Sequence, residues 1–185
     1  MAGLVVVTGA NGHIGNNLCK ELLAHGYEVR GTVRSLEKAP LLDMEFVEAD
    51  VLDPDVWEDV FKDATGLFHL ATIYATKGDA QLILDTANIG TENVLRAASK
   101  CGIERIVYTS STAAVGASPK GVIKNEDNWN DNFSLPYTQA KTQSEKKAWQ
   151  LAEELNLDLR VINPSGVLGG SFATPTPTTE IIGDA

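Results

Sequence analysis

Residues 5–15 read VVVTGANGHIG. Three valines run into a threonine, and Gly9, Gly12 and Gly15 follow at fixed spacing. Glycine inside a regular element costs about 0.5–1 kcal/mol relative to alanine, so three at one junction require a compensating role. The apolar run at 4–8 fits a parallel strand covered on both faces. Beyond the glycines, Ile14, Leu18, Leu22 and Leu23 recur at helical spacing and Gly26 supplies a stop. The stretch is therefore a strand, a tight turn and a helix. The start of such a helix presents unpaired N–H groups and partial positive charge. A pyrophosphate fits there if side chains stay clear. Gly9 would permit the turn, Gly12 the close approach of a phosphate, and Gly15 the packing of helix on strand.

The rest of the chain repeats the alternation. YEVRGTVR (27–34), EFVEAD (45–50), GLFHLA (66–71), ERIVYTSS (104–111) and LRVIN (159–163) read as strands. DPDVWEDVFKD (53–63) reads as a short helix, with Asp53 as N-cap, Pro54 at the first helical position and Val56, Trp57, Val60 and Phe61 inward. Longer helices are expected over 80–101, carrying Ile83, Ala87, Val94 and Ala98, and over 137–155. This order predicts an α/β fold: a Rossmann doubly wound parallel sheet of about six strands, ordered 3-2-1-4-5-6, with helices on both faces. Residues 1–170 form the expected NAD(P)-binding domain. Residues 171–185, SFATPTPTTEIIGDA, break the pattern, and Ile181 and Ile182 have no evident packing partner.

Composition excludes several classes. Lys and Arg number 15 against 25 Asp and Glu, a net charge of −10, which opposes binding to nucleic acid. The N-terminus lacks the basic start and apolar stretch of a signal peptide, and no run reaches the ~18 apolar residues of a membrane span. Cys19 and Cys101 are far apart and fit buried, reduced thiols, so a cytoplasmic protein is expected. His13 and His25, flanking the first helix, are expected in solvent and His69 in the core, and no metal site is expected. Trp129 and Phe133 are expected to anchor their loop, and Trp149 to pack its helix.

The end of the second strand should select a nucleotide. An acidic residue there suits a ribose 2′-hydroxyl, whereas a cation suits a 2′-phosphate. Here Arg34 and Ser35 stand at that point and Lys38 follows one turn later, which favours NADP(H) over NAD(H). Asp50 could accept from the adenine amino group or cap a turn. Tyr137 and Lys141, four apart at a helix start, share one face. An ammonium beside a phenol lowers its pKa toward useful acid–base chemistry, and Lys141 could also hold a ribose. At the end of the fifth strand Ser111 could donate to a substrate carbonyl oxygen, with Ser110 and Thr112 as rivals.

TGANGHIG, TSST, YTQAK and NPSGVLGG together resemble the extended short-chain dehydrogenase/reductases, the NAD-dependent epimerase/dehydratase superfamily. VRSLEK, HLAT and EDNW narrow the likeness toward reductases similar to dihydroflavonol reductase and cinnamoyl-CoA reductase, while ANIGTENVLRAA is shared more with sugar-nucleotide epimerases. The resemblance implies NADPH-dependent reduction of a carbonyl, an aldehyde or ketone of a small organic substrate, with Ser111, Tyr137 and Lys141 catalytic. It implies cofactor contacts from Gly9, Asn11, Gly12, His13, Ile14 and Gly15, from Arg34, Ser35 and Lys38, and from Asp50 and Val51. Leu70, Ala71 and Thr72, Tyr137 and Lys141, and Asn163, Pro164 and Ser165 complete that set. Relatives run longer, so 171–185 is expected to be the start of a truncated substrate-binding region, with turnover impaired. A sugar-nucleotide epimerase or dehydratase with bound NAD, and a non-catalytic NADP(H) sensor, are the competing functions. A homodimer is compatible with the sequence; nucleic acid and membrane partners are not expected.

Overall fold

The valine run forms strand β1 (Leu4–Thr8), and its alternation builds two cores. Val5 and Val7 pack with Cys19, Leu22 and Val29 on one face of the sheet. Val6 packs with Trp57, Leu95, Ile106 and Leu151 on the other. A strand apolar on both faces thus ends up covered on both, as a parallel interior strand must be. The structure, a computed structural model, describes residues 3–75, 78–169 and 178.

After β1 come α1 (His13–Ala24), β2 (Glu28–Val33), a single 3-10 turn (Leu36–Lys38) and β3 (Glu45–Glu48). Then follow α2 (Trp57–Val60), β4 (Ala64–His69), α3 (Ala80–Lys100) and β5 (Arg105–Thr109). The described elements close with α4 (Thr112–Val115), α5 (Pro136–Leu155) and β6 (Leu159–Ile162). The sheet is ordered β3-β2-β1-β4-β5-β6 and every neighbouring pair is parallel, as the alternation predicted. Thr8 lies level with Thr32 and His69, and Thr109 with Ile162, so the strands end on a common edge. Each loop that leaves that edge faces the place where open α/β sheets bind ligands.

Several local expectations fail for local reasons. Asp53 does not cap a helix: its Oδ1 accepts from the Asp55 N–H at 3.0 Å, closing a turn, and α2 begins only at Trp57. Trp57, Val60 and Phe61 are nonetheless buried as expected. Cys101 sits at the end of α3 and is only partly buried. Trp149 is 42 % exposed, so it does not serve as helix packing, and Phe133 is exposed as well. Trp129 does anchor its loop, through the Lys146 ammonium 5.1 Å above its ring. His13 is half-buried rather than solvent-facing. Ile181, Ile182 and the 171–185 segment other than Thr178 lie outside the described residues. No helix among the described residues is long and apolar enough to cross a membrane.

Candidate functional site

A cleft of about 1320 Å³ opens along the carboxyl edge of the sheet. Its floor is the glycine loop. Gly9 has φ +68°, a left-handed conformation that side chains resist. A Cβ on Gly15 would stand 2.3 Å from the Gly9 carbonyl oxygen, so only glycine lets α1 come this close to β1. Gly12 is the N-cap and brings no side chain to the helix start. The N–H groups of the first turn of α1 therefore face the cleft, lined here by Gly9, Asn11, Gly12, His13, Ile14 and Gly15. His13 Nε2 also donates to the Gly169 carbonyl at 2.5 Å, tying this loop to the chain after β6.

Beside the loop, the end of β2 places Arg34, Ser35 and Lys38 on the cleft rim. Both cations are exposed and neither is engaged in an ion pair among the described residues. The end of β3 adds Asp50 and Val51. Asp50 does close a turn, since its Oδ1 accepts from the Leu52 N–H at 2.9 Å, yet it still borders the cleft. Val51 is pinned from α3: its carbonyl accepts from Asn93 Nδ2 at 3.0 Å.

The opposite wall depends on a buried pair. Thr8 Oγ1 accepts the N–H groups of Leu70 and Ala71 at 2.9 and 3.0 Å. Its own proton is then given to His69 Nδ1, 2.9 Å away, which fixes the imidazole as the Nε2–H tautomer. This network fastens Leu70 and Ala71 against β1, where they line the cleft with Thr72. Burial and the Lys141 ammonium push His69 down to about 3, so it stays neutral. The sequence placed His69 in the core correctly but gave no sign of this fastening role.

Across the cleft stand the three candidate catalytic residues. Ser111 caps α4, its Oγ accepting from the Ala113 N–H at 3.1 Å, and its side chain lies near enough to Tyr137 to favour the phenolate. Thr112 is turned to the Pro164 carbonyl, and Ser110 is buried with its hydroxyl unpartnered among the described residues. Ser111 is thus the hydroxyl beside Tyr137. Asn130 braces this corner, donating to the Ala113 carbonyl and receiving the Asn132 N–H. Tyr137 opens α5 and stacks on Tyr74, ring centroids 5.0 Å apart at 51°. Lys141, one turn on, is 4 % exposed and donates to the Thr109 carbonyl at 3.0 Å. Burial drives Lys141 down to about 8, against the pull of Glu145.

Two expectations change here. Tyr137 is not lowered by Lys141: burial raises it, the Ser111 side chain opposes that, and Tyr74 adds to the rise. Asn163 does not line the cleft. Its Nδ2 donates to the Ser111 carbonyl at 3.1 Å and to Glu145 Oε2 at 2.7 Å, while Pro164 and Ser165 do border the cleft. Sequence reasoning missed Tyr74, Ile73, Leu82 and Thr86 on the wall near Tyr137. Ile73 and Tyr74 lie in the loop after β4, which has no periodicity to read, and Leu82 and Thr86 lie on α3, whose helical pattern marks its buried face and not its cleft end.

The sequence pattern of the NAD dependent epimerase/dehydratase family matches residues 5–182. The chain belongs to that family. Among relatives, a protein of Synechocystis sp. that bears a dihydroflavonol 4-reductase name is 36 % identical over 98 % of this chain and 54 % of its own. Cinnamoyl-CoA reductase 1 of Petunia hybrida is 35 % identical over 92 % of this chain and 56 % of its own. This epimerase/dehydratase family chain thus spans about half the length of the curated relatives it matches. Among solved structures, the yeast methylglyoxal/isovaleraldehyde reductase Gre2 complexed with NADPH superposes with a TM-score of 0.81 at 30 % identity, covering 90 % of this chain and 58 % of its own.

Proposed function

We propose that this protein is an NADPH-dependent reductase, or the cofactor-binding part of one, acting on an aldehyde or ketone carbonyl of a small organic substrate. The observation that carries the reading is one cleft with a glycine cradle at a helix start and two uncommitted cations at one end, and Ser111, Tyr137 and Lys141 together at the other. NADPH fits the donor set. The uncapped start of α1 suits its pyrophosphate. Arg34, with Ser35 and Lys38, suits a 2′-phosphate, for which a guanidinium fork is a strong, often bidentate partner. Asp50 and Val51 border the adenine end; Leu70, Ala71, Thr72, Pro164 and Ser165 border the path between. The likeness to reductases, one of them a structure holding NADPH, supports the same reading.

When bound, the reduced nicotinamide supplies hydride to the carbonyl carbon. The chain's own residues manage the oxygen. Ser111 orients and polarises it as negative charge grows. Tyr137 gives up its hydroxyl proton to that oxygen, completing the alcohol. A tyrosine held protonated by burial is a proton donor across the neutral range. The phenolate left behind is favoured by the Ser111 side chain, which opposes the rise that burial imposes on Tyr137. Lys141 has two donors beyond the one given to Thr109, enough to hold a ribose diol.

The test is titration with NADPH and NADH, then NADPH oxidation with a panel of aldehydes and ketones, for the wild type and Tyr137→Phe. NADPH is expected to saturate a binding signal. Turnover on at least one substrate is expected to fall roughly 100-fold or more in the variant, with NADPH binding retained. Equal rates in both proteins would remove Tyr137 as proton donor, and no saturable binding by any nicotinamide coenzyme would overturn the whole reading.

A further inference from the structure

Glu145 stands where the core would accept an aliphatic side chain. It is 6 % exposed on the face of α5 that also buries Ala140, Ala148 and Leu151. Burying a carboxylate costs several kcal/mol unless hydrogen bonds and an opposite charge offset it. Both offsets are present. Oε2 accepts from Asn163 Nδ2 at 2.7 Å and Oε1 from Trp149 Nε1 at 3.4 Å. Lys141 lies one turn earlier on the same face, equally buried, and feels the Glu145 charge.

The other groups around Lys141 leave this role to Glu145. From β4, His69 is neutral above about 3. From β5, Tyr108 is pushed up by burial and shares its hydroxyl with Ser144 and Thr91. Tyr137 on α5, and Tyr74 stacked on it, are phenols. α4 (Thr112–Val115) brings no titratable group. On α3, Glu92 is engaged with Arg96 and Lys147. On β6, Arg160 is paired with Asp158. Among the described residues, Glu145 is thus the anion at hand for the Lys141 ammonium. The other end of its network reaches the second catalytic candidate, because Asn163 Nδ2 also donates to the Ser111 carbonyl at 3.1 Å.

We propose that Glu145 is a positioning residue for the reduction: its carboxylate balances the charge of Lys141 and, through Asn163, holds the Ser111 backbone beside Tyr137. The role rests on the reductase reading, but its first consequence can be read without turnover. A buried opposite charge one helical turn away favours the charged form of its neighbour. Removing it should therefore lower the Lys141 midpoint below its value of about 8.

The experiment follows the 13Cε resonance of Lys141 against pH in the wild type and Glu145→Gln, with Lys141→Arg assigning the signal. Alongside it, kcat, KM and the pH profile of NADPH-driven reduction are measured. Glu145→Gln keeps the shape and an acceptor for Asn163, and removes the charge. The expected result is a Lys141 midpoint below that of the wild type and an alkaline limb of kcat lower by the same amount. Glu145→Asp should restore part of both. A midpoint and a pH profile that coincide with the wild type would overturn the proposal. A wild type that binds no NADPH would overturn the reductase reading, while the resonance would still report on Glu145. If Glu145→Gln does not fold, Asn163→Ser tests the other arm. There kcat should fall about tenfold, as expected for a disturbed catalytic geometry, with the Lys141 midpoint unchanged, and an unaltered kcat would overturn that arm.

Discussion

Arg34 and Asn163 show what a single residue does and does not disclose. The place of Arg34 on the cleft rim is legible because it follows β2 directly, and strand order fixes where β2 ends. With the exposed guanidinium uncommitted, its loss should be felt by a 2′-phosphate and by little else. Arg34→Ala is expected to weaken NADPH at least tenfold, about 1.4 kcal/mol, and NADH less than twofold in fluorescence titrations. Equal losses for both would mean that Arg34 contributes only general attraction. Asn163 is different. It sits in the loop where a nicotinamide contact was expected, but its amide is taken up by Ser111 and Glu145. That partnership joins positions 18 residues apart across α5 and β6, and no local pattern encodes it. For the same reason no local pattern marks Glu145, whose partners lie off its own stretch of helix or appear only on folding.

Elements were legible in proportion to their length. α3 and α5 run for 21 and 20 residues, enough for a helical stripe to emerge, and their ends fall within a residue or so of expectation. α4 has four residues and α2 four, too few for any periodicity. The Asp-Pro pair before α2 imitates a helix start, while its carboxylate is spent on a turn. The start of α1 was readable for the opposite reason: its glycines are demanded by backbone contact. That demand can be tested. In Gly15→Ala the new Cβ would meet the Gly9 carbonyl and the Ala10 Cα, neither of which can swing aside as a side chain could. Overpacking of this kind costs roughly 1–3 kcal/mol. Chemical denaturation should show such a loss, and NADPH binding should weaken further because the cradle widens. A variant with native stability and affinity would show that the α1–β1 approach is looser than these distances imply.

At the scale of the whole molecule, the sheet joins its two halves through β1 and β4, and the pin at their carboxyl ends is Thr8 with His69. That pin makes stability depend on pH. Folded, the buried imidazole takes up no proton until about pH 3; in the unfolded chain it does so near 6.5. Between those values the unfolded state binds more protons, so stability rises with pH through the window. The contribution is complete above about 6.5 and is lost as pH falls toward 3, at a limiting slope of about 1.4 kcal/mol per pH unit. Glu92, held below its ordinary value by Arg96 and Lys147, adds to the loss only at the acid end, and weakly because the pair is exposed. The decline between pH 6 and 5 therefore belongs to His69. His69→Asn keeps an acceptor for the Thr8 hydroxyl near the Nδ1 position and cannot be protonated. Urea unfolding across pH 7.5 to 5 should show the wild type losing stability steadily below 6.5 and the variant, though less stable at neutral pH, holding nearly level. Parallel pH profiles in the two proteins would mean that the acid sensitivity arises elsewhere, and that the pin between β1 and β4 tolerates a charge which its burial among Thr8, Tyr108 and Lys141 should forbid.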